Sequence, residues 1–347
     1  MKDEQIYNFV EMADGINQKY QYQPHQLLKV EEYLSGIQSG DKNILSKAIT
    51  LIESTNPNHR EIANKVLSEI SNPKELSIRI GITGSPGVGK STFIEAFGDM
   101  ICKKGNKVAV LTIDPSSEKS GGSILGDKTR MGSLLKNENS FIRPTPSKGS
   151  LGGVAQHTKE AILLCEAAGY EIIIIETVGV GQSETAIHKM VDFFLLLLLA
   201  GAGDELQGIK RGIMELADGI AITKADNNNE IEAKKAKITF ENALHLFPPY
   251  NNGWTPVTHI CSSIEGKGID DIWNTIQNHR LKNMESGWIK ENRSDQNIFW
   301  MHQKIKEQLK SDFYDHPTVK KKLTKVETQV KKGILDPFTG ANIMLNK

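Results

Sequence analysis

The sequence predicts an α/β fold with a mostly parallel, doubly wound sheet, flanked by N-terminal and C-terminal helical extensions. Three observations predict it. Short isoleucine-, leucine- and valine-rich runs alternate with helix-length stretches through the middle of the chain. A glycine-rich turn stands between the first of those runs and the helix-length stretch after it. Both ends of the chain carry helical spacing.

Taken in order, residues 1–72 read as helical, with 43–54 and 59–70 spacing apolar residues three and four apart. Asn72-Pro73 punctuates their end. Strands are expected at 77–83, 107–113, 170–177, 192–199, 218–223 and 256–260. The isoleucine run 172–175 is the strongest of these signals. Helices are expected between them at 90–104, 154–168, 205–217 and 229–246. Strand and helix in alternation make right-handed crossovers, so the strands lie parallel and ligands gather beyond their carboxyl ends. From about residue 287 the texture is helical again, with 296–309 and 317–331 amphipathic and Trp300, Met301, Ile305 and Leu309 expected on one face, turned to a second subunit. The resulting division is 1–75 helical, 76–284 sheet domain and 285–347 helical.

Composition narrows the function classes. Among 347 residues, Lys+Arg and Asp+Glu both number 42, so no global charge draws the chain to nucleic acid or an anionic membrane. The basic stretch 320–325 reads as a solvated helix face. The most apolar run, 193–200, is too short to span a bilayer and reads as a strand buried on both faces. Three scattered cysteines, Cys102, Cys165 and Cys261, form no CxxC pair, and the first fifteen residues have no signal-peptide pattern. A reducing, cytoplasmic setting is the expectation.

The chemistry begins at the glycine-rich turn. Gly84-Ser85-Pro86-Gly87-Val88-Gly89-Lys90-Ser91 is the complete G-x-x-x-x-G-K-[ST] pattern, placed after a strand and before a helix. Such a P-loop presents successive backbone N–H groups and a helix N-terminus to phosphate oxygens. Lys90 is expected to reach the β- and γ-phosphates and Ser91 to ligate Mg²⁺, with Thr92 counted among the nucleotide-binding residues. The fold class is therefore that of a P-loop nucleoside triphosphatase.

Thr223-Lys224-Ala225-Asp226, following a strand, resembles the guanine-reading N/T-K-x-D signature. A carboxylate at Asp226 can accept from N1–H and the exocyclic amine of guanine, a donor pair that adenine lacks, while the Lys224 stem can lie along the base. Cys261-Ser262-Ser263, after the next strand, stands where a backbone donor meets the guanine oxygen. GTP and GDP are the expected nucleotides. Near the phosphates, Glu176-Thr177-Val178-Gly179 resembles D-x-x-G with Glu as the acid, Gly179 sensing the γ-phosphate. Asp114 and Asp127 complete the candidate carboxylates around Mg²⁺, a cation that prefers oxygen ligands.

Several longer motifs extend beyond the P-loop: Asp114-Pro115-Ser116-Ser117, GGSILGDKTRM at 121–131, Arg143-Pro144-Thr145-Pro146-Ser147, Gly152-Gly153-Val154-Ala155 and ETVGVGQSE at 176–184. By these the chain resembles the methylmalonyl-CoA-mutase-associated GTPases, also labelled ArgK after a supposed arginine/ornithine transport kinase. The likeness runs through roughly residues 78–276 and extends to the tail at Gly333–Pro337. It implies a homodimer that hydrolyses GTP slowly and binds methylmalonyl-CoA mutase or a related adenosylcobalamin-dependent mutase. Nucleotide state would gate cofactor loading and protect the mutase from inactivation. It further implies Asp127 as the carboxylate nearest Mg²⁺ with Ser91 opposite, Asp114 and Glu176 at or beside that shell, and a mobile switch at 201–212 containing Gln207 and Lys210. The departure is Thr223 where Asn is commoner.

The expected reaction is attack of water on the γ-phosphate, with Lys90 neutralising charge, Glu176 holding the water and Asp114 assisting. Arg130, Arg143 and Lys210 are candidate sources of further positive charge. Two rival readings are a GTP-dependent metallochaperone and the transport-linked kinase. His157, His188 and His245 show no clustered metal-ligand spacing, and no segment advertises an acceptor pocket.

Overall fold

Strands of near-continuous Ile, Val and Leu can be stable only if both faces of their sheet are covered, and that requirement organises this chain. The computed structural model describes residues 27–70, 77–114, 131–146, 151–177, 183–200, 211–226, 229–248 and 250–345. Within them lie β1 (Ile78–Gly84), β2 (Val108–Asp114), β3 (Ser140–Pro146), β4 (Ile172–Glu176), β5 (Phe193–Leu199), β6 (Gly219–Thr223) and β7 (Val257–Ile260). They form one sheet in the order β3-β2-β4-β1-β5-β6-β7, with every neighbouring pair parallel. The central β1 has β4 on one side and β5 on the other, so the loop that follows it opens into the middle of the carboxyl rim.

The helices in chain order are α1 (Val30–Gln38), α2 (Lys42–Ile52), α3 (Pro57–Glu69), α4 (Lys90–Lys103), α5 (Gly132–Lys136), α6 (Leu151–Ala167), α7 (Ser183–His188) and α8 (Arg211–Met214). Then come α9 (Glu230–Leu244), α10 (Ile269–Glu285), α11 (Trp288–Tyr314), α12 (Pro317–Lys331) and α13 (Pro337–Leu345). Local chemistry sets several of their starts. The Asp41 carboxylate accepts from the N–H groups of Asn43 (2.7 Å) and Ile44 (3.0 Å), and Asn56 caps α3 with Pro57 in its first turn.

Strand alternation divides the core into two layers. Ile78, Ile80, Ile82, Val108, Val110, Ile172 and Ile174 pack with Phe93, Phe97 and Ile101 of α4 and Trp273 and Ile276 of α10. The intervening Ala109, Leu111, Ile173 and Ile175 face the other way, onto α1, α2, α3 and α6. Leu196, Leu198, Ile220 and Ile222 join Ala233 and Phe240 of α9 in a third cluster. Val319, Val326 and Met344 form a small separate core under α12 and α13.

All six expected strands are present within a residue or two of their expected ends, and an unexpected seventh, β3, contains most of the motif at 143–147. Pro144 and Pro146 argue against a central strand because each lacks a ladder donor. β3 resolves this by lying at the sheet edge, where only β2 pairs with it, Thr112 opposite Pro144 and Asp114 opposite Pro146. The expected helix 205–217 is described only as α8, and residues 1–26 lie outside the described residues. Helix α10 was not anticipated.

At the amino rim of the sheet, α11 is fastened by charge and hydrogen bonds. Arg293 donates from Nε to Asp192 Oδ1 (2.8 Å) and from Nη2 to both Asp192 Oδ2 (2.5 Å) and the Ser77 carbonyl (2.6 Å). Asp192 Oδ2 also accepts from the Arg79 N–H, and the Arg79 guanidinium forks onto Glu166 at 2.7 and 2.9 Å. Gln296 and Trp300 donate to the carbonyls of Val191 and Lys189, each at 2.7 Å. The expectation that Trp300 shares one face with Met301, Ile305 and Leu309 is corrected here. Trp300 turns inward at 7% exposure, while Met301, Ile305 and Leu309 remain 52%, 46% and 64% exposed. The physical reason is packing and the indole N–H, which donates to the Lys189 carbonyl as the ring buries itself.

Candidate functional site

The carboxyl rim gathers three loops. The first is the phosphate loop, where β1 runs into α4. Gly84 is required there: a Cβ would sit 2.5 Å from the Leu197 carbonyl oxygen of β5. Gly87 and Gly89 adopt φ of 83° and 96°, in the left-handed region that glycine enters without strain. Val88 is buried as the loop's anchor, and Ser85, Pro86 and Gly87 are exposed at its crest. Lys90, the first residue of α4, donates from Nζ to the carbonyls of Gly84 (2.7 Å) and Ser85 (3.2 Å). Burial lowers its pKa from the ordinary lysine value, opposed by the nearby carboxylates of Glu176 and Glu184. Thr92 is exposed one turn further on.

The second loop begins where β4 ends. Glu176 is buried, and its Oε1 accepts from the Ser91 hydroxyl at 3.2 Å. This hydroxyl and carboxylate are hard oxygen donors brought together from two elements, a set that suits Mg²⁺. β2 ends at Asp114 two strands from β1, on the same rim. Asp127, Gly179, Gln207, Arg130 and Lys210 lie outside the described residues. Among the described residues no group of three His, Cys, Asp or Glu side chains could hold a metal ion.

The third loop follows β6. Thr223 is buried, and its hydroxyl lies 2.7 Å from the Val88 carbonyl and 3.2 Å from that of Leu198. The residue that departs from the commoner Asn therefore still ties this loop to the phosphate loop. Lys224 follows at φ 58°, the one non-glycine positive φ among the described residues, and donates from Nζ to the Gly87 carbonyl at 2.7 Å. Residues with a Cβ occupy that region sparsely, so local bonds such as this one must hold Lys224 there. Its stem passes Gly89, where an added Cβ would meet Lys224 Cε at 3.7 Å. Ser262, after β7, donates from Oγ to Asp226 Oδ2 at 2.8 Å and fixes that carboxylate. The Ala225 N–H donates to the Cys261 carbonyl, closing the two loops together, with Cys261 buried and Ser263 half-buried.

The rim thus brings together the P-loop residues with Thr223, Lys224, Asp226, Cys261, Ser262 and Glu176. Arg143 does not join them. It pairs with Glu53, the residue capping the end of α2, and reaches Ser46 (3.3 Å) and Thr50 (3.2 Å), so its charge is committed to the helical layer. His188 is half-buried, with its ring edge-on to that of Phe194. Sequence reasoning gave no role to Thr83 or Thr177, whose buried hydroxyls share a hydrogen bond at 2.9 Å. Their only signal was position, flanking Gly84 and Glu176.

Several known proteins resemble this chain along most of its length. Residues 45–318 match the family model described as methylmalonyl Co-A mutase-associated GTPase MeaB. A probable GTPase of Mycobacterium tuberculosis is 44% identical over 316 residues, covering 91% of this chain and 94% of its own length. The GTPase ArgK of Escherichia coli is 43% identical over 309 residues, covering 89% and 93%. The mitochondrial methylmalonic aciduria type A homolog of Mus musculus is 42% identical over 326 residues, covering 91% and 79%. Among solved structures, one described as a LAO/AO transport system kinase superposes with a TM-score of 0.71 at 36% identity, covering 92% of this chain and 98% of that one.

Proposed function

Because the chain belongs to the family of methylmalonyl-CoA mutase-associated GTPases, we propose that it is a GTP-gated chaperone of methylmalonyl-CoA mutase or a related adenosylcobalamin-dependent mutase. In this role nucleotide state controls cofactor loading and protects the mutase from inactivation. GTP hydrolysis is the family's activity, and the observation that carries it to this site is the clasp between base and phosphate loops. Lys224 and Thr223 both bond to carbonyls of the P-loop, so a base held by Asp226 and phosphates held by Lys90 lie on one rigid frame.

Water attacks the γ-phosphorus, the β–γ bridging bond breaks, and GDP and phosphate leave. Lys90 and the loop amides meet the charge on the phosphates, where positioning and electrostatics do most of the catalysis. Ser91 and Glu176, with Asp127 and Asp114, would hold Mg²⁺, which when bound neutralises phosphate charge. Glu176 orients the attacking water, and Gly179 senses the γ-phosphate.

The assembly proposed is a cytoplasmic homodimer. α11 carries Ile298, Met301, Ile305 and Leu309 exposed at helical spacing, an apolar row suited to a second copy. Cutting the chain after residue 286 would also strip Arg293, Gln296 and Trp300 from the sheet, so point charges are the cleaner probe. Light scattering of a Met301→Glu, Ile305→Glu variant should report a monomer; a persisting dimer would place the interface elsewhere. For the whole reading, the purified protein is mixed with the mutase apoenzyme and sized in GTP and in GDP. Complex formation and cofactor transfer that differ between nucleotides are expected. No complex in either state would remove the chaperone role and leave the GTPase.

A further inference from the structure

Thr83 is the last residue before the phosphate loop's Gly84, and Thr177 the first after Glu176. Both are fully buried at 0% exposure, and their hydroxyls lie 2.9 Å apart. The Thr177 N–H donates to the Ile82 carbonyl at 3.1 Å, carrying the β1–β4 ladder one step past Ile82 opposite Glu176. Alternation turns Thr177 to the sheet face opposite Glu176, whose own carboxylate accepts from Ser91. The peptide bearing Glu176 is thus held from two sides, by Ser91 of α4 in front and by Thr83 of β1 behind.

We propose that the Thr83–Thr177 hydroxyl pair is a positioning element for GTP hydrolysis, fixing the spacing between the start of the phosphate loop and the Glu176 carboxylate. The inference rests on the role given to Glu176 above. Neither threonine touches substrate. Each acts through the backbone, Thr83 on the residue that opens the loop and Thr177 on the acid before it. A displacement of about 1 Å at a reacting group can cost about a hundredfold in rate. The pair stands where small displacements of β1 against β4 would separate Glu176 from Ser91.

A purely structural hydroxyl pair behaves differently, because replacing both partners by apolar groups of the same shape is close to neutral for stability. The full-length protein is therefore compared with Thr83→Val, Thr177→Val, the double valine variant and Thr177→Ser. Single-turnover GTP hydrolysis, GDP affinity and the thermal midpoint are measured for each. A fall in the hydrolysis rate of about tenfold is expected for each valine variant. The double variant should be no worse than either single one, since the hydroxyls act as a unit. GDP affinity should stay within about twofold, and Thr177→Ser should restore most of the rate. Wild-type hydrolysis in the double variant would overturn the proposal while leaving the GTPase reading intact. So would a rate loss matched by lost GDP affinity, or a serine variant as slow as valine, because either would assign the pair to packing. A wild-type protein that binds GDP but turns over no GTP would instead remove the functional reading on which the proposal stands.

Discussion

The two rims of this sheet are built from the same strands and solve opposite problems. At the carboxyl rim the backbone is bent into left-handed conformations at Gly87, Gly89 and Lys224, and side chains bond to loop carbonyls. At the amino rim, side chains bond to side chains in a buried ionic cluster: Arg79 with Glu166 and Arg293 with Asp192. Uncommon backbone conformations and exposed loops belong where a ligand must enter. Paired charge belongs where nothing enters, and there it locks α11 onto the sheet. Burial alone would raise the Asp192 carboxyl, but Arg293 and Arg79 hold it below the usual range. The difference separates function from stability along one set of strands, and substitutions at each rim can test that separation.

The largest expected effect is on stability. Arg293→Ala leaves Asp192 buried without its partner, and losses of this kind are about 3–5 kcal/mol. Urea unfolding should show it, with GTP turnover of the folded fraction preserved. Turnover lost before unfolding would mean the rims are not separable. Next comes Lys90→Ala, which removes the principal cation of the phosphate loop. Hydrolysis should drop by about a hundredfold to a thousandfold, with a thermal midpoint close to wild type.

Asp226→Asn should be somewhat milder. If Asp226 reads guanine as proposed, the change removes an acceptor of two N–H groups and should weaken GTP by about a hundredfold while improving xanthosine triphosphate, whose base accepts where the new amide donates. Competition binding reads this directly, and an unchanged preference would leave Asp226 without its assigned role.

The smallest effect sharpens the amino rim. Lys159 is 5% exposed and its Nζ has no hydrogen-bond partner among the described residues. Burial, reinforced by Arg79, pulls its ammonium down to about 7. Between about pH 7 and the ordinary lysine value of 10.5 the unfolded chain holds a proton that the folded chain does not, so this group's contribution to stability rises with pH through that window. Below about 7 the penalty is constant. Lys159→Met should therefore stabilise by about 1–2 kcal/mol near neutral pH and by less near pH 10. A gain independent of pH would assign the effect to packing instead.

Legibility in the sequence followed the same division. The carboxyl rim could be read because its residues are contiguous: Gly84 to Thr92, Thr223 to Asp226 and Cys261 to Ser263 each form one local turn with one local chemistry. Six strands could be read from the alternation of apolar runs, and the seventh was hidden because Pro144 and Pro146 are tolerated only at an edge, a position defined by the other strands. The amino rim could not be read at all. Its partners are 87 residues apart for Arg79 and Glu166 and 101 apart for Asp192 and Arg293.

The sequence by itself determined the fold class, the P-loop and the family, since each is carried by short contiguous motifs whose backbone geometry neighbouring residues dictate. Tertiary structure decided which polar groups meet. It gave Thr83 to Thr177, spent Arg143 on Glu53 and turned Trp300 inward while leaving Met301, Ile305 and Leu309 outside. The reason is that a buried polar group must find a partner wherever the packed chain brings one, and sequence distance puts no limit on that search.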